Sequence, residues 1–332
     1  MRRPLSVLIA LVAAPVAVFA QSTPYPECNK PEIIIDPQNP SQPNQPNINI
    51  CNAAVDGAAV FHPVAGLLVS GGNPVLGSFK GLGGLGHFRL TARMNATRLR
   101  TPDLNYRGTG GTTVPEADKI FAPAPLVEAA IGVFPGMNGL LSIDVLGSAQ
   151  LIPTTAVKNL TVAKGARKIG DIALGLGYGL RVGVLPGKAV VPSVTVSVMR
   201  RDIPRITYGN TTGGDTYSYG LDLHATNLRA VAGYKLTLFT VGAGLGWDKY
   251  TGDARVAFKN QAAPGTTLNV KTDLDNSRTM AFLNAGLDFP VVKIVAEAGY
   301  QFGKDQKLKT TFTGNDPSDS RLFVGAGVQF AF

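Results

Sequence analysis

The chain has 332 residues, of which 45% are hydrophobic and only 16% charged, with 39 glycines and a formal net charge of +9 at pH 7. A soluble protein carries roughly 25% charged residues, so this composition points to a surface that faces lipid rather than water. Beyond residue 20 no apolar run reaches the roughly 18 residues of a spanning helix, which excludes a helical membrane protein. The basic residues are dispersed and lack interleaved aromatics, which excludes a nucleic-acid groove.

Met1, Arg2 and Arg3 precede an apolar stretch from Leu5 to Phe19, with Val18 two positions before the small residue Ala20. A basic start, a short apolar core and a small terminal residue describe a secretory signal, with cleavage expected after Ala20. Cys28 and Cys51 then lie in an oxidising compartment, where a disulfide between them is expected. Between them, Asp36 to Asn49 is dense in Pro, Gln, Asn and Ser, a composition that cannot bury a core. Residues 21–51 are therefore expected to form an extended tether. Residues 52–83 are expected to hold a short helix followed by turns, at the periplasmic side or in a barrel mouth as a candidate plug.

From residue 84 onward the sequence alternates. Phe88, Leu90, Ala92, Met94 and Ala96 share one face of a strand, and Arg89, Thr91, Arg93 and Asn95 the other. The same two-residue period recurs around Val127 to Val133, Leu141 to Val145, Ile172 to Val184 and Pro192 to Val198. It returns at Tyr217 to His224, Val241 to Asp248, Leu283 to Phe289 and Ile294 to Phe302. Short connections, such as Pro186 to Lys188 and Phe289-Pro290, alternate with long polar ones at 208–216, 252–277 and 303–320. Strands of about 9 to 11 residues joined in this way predict an all-β, antiparallel up-and-down transmembrane barrel over residues 84–332. About 12 strands are expected, within a range of 10 to 14.

The last segment carries apolar residues at every second position, Leu322, Val324, Ala326, Val328, Phe330 and the terminal Phe332. It resembles the C-terminal strand of bacterial outer-membrane β-barrel proteins. The resemblance is to the class and covers roughly residues 84–332, without a specific family. It implies an integral outer-membrane location, outer-membrane lipids as surroundings, and recognition of Val328, Phe330 and Phe332 by the barrel assembly machinery during biogenesis. Oligomeric state stays open.

The polar face of the strands collects Arg89, Arg93, Glu128, Asp144, Asp171, Arg181, Asp222, His224, Asp288, Lys293, Glu297 and Arg321 as the expected lumen. Charges of both signs line an aqueous path in a wide barrel and pair into a network in a narrow one. Glycines at 175, 177, 179, 183, 242, 244, 246, 325 and 327 leave room for water, a ligand or a segment of the protein itself. Three roles follow from this pattern. The first is a passive or gated channel for small polar solutes, the second a structural or adhesive barrel with a closed, salt-bridged lumen. The third, transport of hydrophobic molecules, rests on similarity to the fatty-acid transporter family only in an N-terminal segment ahead of a barrel, and a polar inner face speaks against it.

No enzyme, cofactor or metal is expected. Gly81 to Gly86 fits GxGxxG, but no strand leads into it and no helix follows, so a dinucleotide site is not supported. Asp222 and His224 stand two apart on one strand, where a carboxylate orients an imidazole, yet no nucleophile motif accompanies them. Asp316 and Asp319 offer at most a weak calcium loop.

Overall fold

The computed structural model describes residues 23–138, 140–153, 160–188 and 191–332. The expected signal peptide, Met1 to Ala20, lies outside the described residues. Ten strands close a barrel: β1 (Phe88–Pro102), β2 (Glu116–Phe134), β3 (Ser142–Pro153), β4 (Ile172–Lys188), β5 (Val191–Tyr208), β6 (Tyr217–Lys235), β7 (Phe239–Lys259), β8 (Thr267–Asp288), β9 (Val292–Gln301) and β10 (Arg321–Ala331). Each pairs antiparallel with its chain neighbours, and β1 closes the ring by pairing with both β2 and β10, as in Arg89 opposite Ala130 and Ala331. Two short strands, Leu160–Val162 on β5 and Lys168–Ile169 on β4, lie outside the ring and bring the sheet to 12. Strand β4 runs on through Pro186 and Gly187 to Lys188, where the sequence suggests a turn.

One end of the barrel carries short turns, around Met137 and at 236–238 and 289–291, and the other the long connections at 103–115, 209–216, 260–266 and 302–320. Strands β7 and β8 have 21 and 22 residues, about twice what a bilayer needs, so the barrel stands well clear of the lipid at its long-loop end. The lipid band is legible in exposure. Leu90, Met94, Ile131, Val145, Leu180, Val241, Leu245, Leu283 and Ile294 are large apolar side chains left open on the outer wall. Phe88, Phe134, Tyr234, Phe239, Phe289 and Phe332 ring the short-turn edge, and Phe121, Tyr178, Trp247, Tyr300 and Phe302 lie toward the other. Such aromatic girdles mark the two membrane interfaces.

Inside the barrel lies one helix of 26 residues, α1 (Gln45–Ser70). It is much longer than the short helix expected from residue 52, and it begins inside the stretch read as an extended tether. Asn44 caps it by accepting from the Asn47 N–H, and Pro46 sits at its first turn, where the missing N–H costs nothing. Pro63 does interrupt the interior. The carbonyl it cannot serve, that of Ala59, receives the Gln306 amide at 3.3 Å once that side chain is turned to suit its neighbours. The helix is buried nearly all round, as a helix enclosed by a protein wall must be. Its Gln45 end meets the long loops and its Ser70 end stops at the depth of the lipid band, from which residues 71–87 descend to the start of β1.

The outer wall yields a direct test. Leu283→Arg places a cation on the lipid face of β8, which costs about 2 to 4 kcal/mol near the bilayer midplane. Urea unfolding of the variant in lipid vesicles should show that loss, whereas the same substitution near the short-turn edge, Phe289→Arg, should cost about 1 kcal/mol or less.

Candidate functional site

The lumen at the depth of the lipid is a charge network built around the end of α1. The last carbonyls of any helix lack intrahelical donors and carry the negative end of its dipole. Here the wall supplies the donors. Arg229 on β6 donates to the carbonyls of Ser70 at 2.8 Å and Gly72 at 2.9 Å. Arg93 on β1 donates to those of Gly71 and Asn73, the latter at 2.9 Å, and Asn95 reaches that of Leu68 at 3.1 Å.

The two arginines are balanced in turn. Asp248 on β7 lies 2.6 Å from Arg229, and Glu297 on β9 and Glu128 on β2 lie 3.3 and 3.5 Å from Arg93. Arg201 on β5 joins Glu128 at 2.9 Å and bonds Asn227, and Asn227 continues to Asp248 at 2.7 Å. All of these side chains are buried. Tyr250 extends the chain, donating to Asp248 at 2.9 Å and touching Ser70 Oγ at 3.2 Å.

Toward the short turns the descending segment is held by further polar contacts. The Asn73 N–H donates to Glu297 at 3.0 Å, and the Leu82 N–H to Asp144 at 3.1 Å. Asp144 also pairs with Arg181 at 2.8 Å. Lys293 donates to the Gly77 carbonyl at 2.7 Å and Gln329 to that of Leu76 at 2.8 Å. Val75, Leu76 and Phe79 are buried, Phe79 among Val231, Phe282 and Phe323. The inward glycines serve this packing: a Cβ at Gly242 would sit 2.5 Å from the Phe79 ring and one at Gly327 2.6 Å from Arg93 Cβ. The room they leave is occupied by the protein itself.

Toward the long loops the interior turns apolar. Ile50, Ala54, Ala58 and Phe61 of α1 pack against Tyr217, Tyr219, Leu221, Val256, Phe258 and Phe312, with Phe61 stacked on Tyr219 at 5.7 Å. Gly66 lets the helix pass the Tyr250 ring, where a Cβ would lie only 2.3 Å from a ring carbon. Polar residues of the helix bond the loops: Asn47 to Asn260, Asn49 to the Gly108 carbonyl, and Asp56 to the N–H groups of Lys309 and Thr310. A disulfide joins Cys28 to Cys51, whose Cα atoms are 6.0 Å apart.

Of the twelve expected lumen residues, Arg93, Glu128, Asp144, Arg181, Lys293 and Glu297 are inside and buried. Arg89, bonded to Gln329, and Asp288, between Lys235 and Lys293, sit at the short-turn rim. Arg321 sits at the long-loop rim and bonds Asn315. Three are not in the lumen. Asp171 lies exposed in the turn just before β4.

Asp222 and His224 are on the outer face, because Leu221, Leu223 and Ala225 between and beside them point inward to meet the helix. His224 does not face Asp222 either: its Nδ1 lies 2.6 Å from Asp202 of the adjacent strand, while Asp222 pairs with Arg205. Arg201, Arg229 and Asn227 were missed by the sequence reading, although Leu228 and Ala230 alternate with Arg229 as any wall strand does. Gly81 to Gly86 is a run of turns, with Gly83, Gly84 and Gly86 at positive φ. The carboxylate of Asp316 accepts from the Ser318 N–H and hydroxyl at 2.8 and 2.7 Å, and no cluster of three metal-ligating side chains occurs among the described residues.

No family model and no curated protein matches the chain. Among solved structures it is similar to the outer membrane protease OmpT from Escherichia coli, at 9% identity and a TM-score of 0.39 over 77% of this chain and 98% of that one. It is similar to the translocator domain of the autotransporter NalP from Neisseria meningitidis, at 14% identity and 0.39 over 75% and 89%. A third is a mutant of the TodX monoaromatic hydrocarbon channel, at 10% identity and 0.33 over 80% and 93%. These are all membrane barrels, and the likeness concerns the fold alone.

Arg229→Ala should cost about 3 to 5 kcal/mol in vesicle unfolding, because it leaves Asp248 buried without its cation and the carbonyls of Ser70 and Gly72 without their donor. The paired change Arg229→Met with Asp248→Leu should recover only the part due to the orphaned Asp248 charge, since the Ser70 and Gly72 carbonyls still lack their donor. In the last loop, the Ser318 hydrogen bonds lower the Asp316 pKa. The sign is that of a depressed carboxylate: the stability it lends is present above the ordinary aspartate value and is lost as pH falls through the lowered one. Ser318→Ala should raise the Asp316 titration midpoint measured by NMR.

Proposed function

We propose that the chain is an integral outer-membrane barrel sealed by its own N-terminal segment, a structural or adhesive barrel whose working surface is its extracellular crown. The observation that carries this reading is the buried end of α1 and the turn that follows it, where Arg229 holds the carbonyls of Ser70 and Gly72 and Arg93 those of Gly71 and Asn73, while both arginines are balanced by wall carboxylates. A solute path would need that whole set broken at once. A passive pore is therefore disfavoured, and a gated one would require the plug to leave as a unit. The long loops would face outward, as in barrels of this kind, with lipid against the apolar band. The terminal residues Val328, Phe330 and Phe332 would act as the signal read by the assembly machinery.

Planar-bilayer recording tests the reading. Folded protein should give no stable current steps, and the variant lacking residues 28–80 should conduct. Steps of comparable size from both proteins would show that the segment does not seal the lumen.

A further inference from the structure

We infer that the barrel presents its own N-terminal strap on the cell surface, so that the chain ahead of Gln45 stands outside the membrane and α1 is the stalk that carries it there. This rests on the sealed, long-loops-out reading above and adds the direction in which the chain threads the lumen. That direction is fixed by contacts at both ends of the helix. At the Gln45 end, Asn47 Nδ2 donates to Asn260 at 2.8 Å, the Gln261 N–H donates to Asn47 at 2.8 Å, and Asn49 reaches the Gly108 carbonyl at 2.8 Å. Those partners belong to two long loops. At the Ser70 end the contacts are to wall arginines at lipid depth, and the chain then reaches Phe88 at the short-turn edge. The helix thus enters from the long-loop mouth.

The strap itself, from Thr23 to Asn44, lies across that mouth. Glu27 accepts from Thr272 at 2.8 Å, and Lys309 donates to Thr23 at 2.9 Å with its ammonium 5.6 Å from the Tyr25 ring centroid. Tyr25 hydroxyl donates to Asp56 and the Cys28–Cys51 disulfide ties the strap to the helix. Beyond this anchored part, a loop closed by a bridge between Ile35 and Pro43 projects Asp36, half-buried, and Pro37 to Gln42, every one of these six exposed. A loop of Pro, Gln, Asn and Ser has no apolar surface to bury in lipid or core, and its base is held by the Asn44 N–H donating to the Ile34 carbonyl at 2.8 Å and by Ile33, buried in the core cluster that holds the Cys28–Cys51 disulfide. The strap is therefore a fixed, water-facing presentation surface.

Single cysteines read the topology. In intact cells, a membrane-impermeant maleimide should label Ser41→Cys to the same extent as Asp305→Cys, in the last long loop. It should label Met137→Cys, in a short turn, only after the outer membrane is permeabilised. If Ser41→Cys behaves like Met137→Cys, the strap lies on the inner side and the inference is overturned. Bilayer recording of the Ser41→Cys protein separates the two readings: a silent trace with inward labelling would remove the surface strap and leave the sealed lumen intact, whereas current steps would remove the sealed lumen.

Discussion

A helix that ends inside a barrel at lipid depth leaves carbonyls that no bulk water reaches, and each such group left unpaired costs several kcal/mol. Asn95 and Arg229 answer that requirement at Leu68 and Ser70, Arg93 and Arg229 continue it over the buried turn at Gly71, Gly72 and Asn73, and those carbonyls answer the arginines. Without those carbonyls, Arg93 and Arg229 would face Glu128, Glu297 and Asp248 across an emptied lumen and lose the protein acceptors that their other guanidinium donors now use. The wall and the plug therefore satisfy one another, and neither is complete alone. Buried ion pairs are a weak source of net stability, but a set that fits only one arrangement of the helix end fixes that arrangement.

The interior changes character along its axis for the same reason. Where the chain descends as turns, from Gly71 to Leu85, its exposed backbone needs polar partners, and the wall offers Asp144, Arg181, Asn284, Lys293, Glu297 and Gln329. Where the occupant is a helix, its backbone is already satisfied, and the wall offers Tyr217, Tyr219, Leu221, Val256 and Phe258 instead. Above the lipid band the outer wall is free to be charged, as Arg200, Asp202, His224 and Lys249 are. Strand β6 thus inverts its polarity along its length: charged inward and apolar outward at Arg229 and Leu228, apolar inward and charged outward at Leu223 and His224.

That inversion marks where the sequence could be read and where it could not. The two-residue period placed Arg93, Glu128, Asp144, Arg181, Lys293 and Glu297 on one wall because, within lipid, polar can only mean inward. The rule fails for Asp222 and His224, which stand outside the lipid, where water takes over the outer face and the apolar helix the inner one. Asp171 failed differently, since it lies one residue before its strand starts. The length of α1 was hidden because Asn47 and Asn49, like the Pro and Gln beside them, look like linker residues in sequence, and Asn52 gives no sign that the helix began before it. All three asparagines are buried, and their amides bond the loops and the strap.

The account depends above all on α1 being enclosed and fastened in the lumen. Helices in proteins owe most of their stability to tertiary packing, so a helix free of the wall would exchange its amide hydrogens quickly, whereas a plug shared with the wall should open only with the wall. Hydrogen exchange of the protein in lipid nanodiscs, followed residue by residue, measures this directly. The account predicts that amides from Ile50 to Leu67 are protected as strongly as those of the central strands. Exchange of that helix at the rate of an unstructured chain, while the strands stay protected, would contradict it.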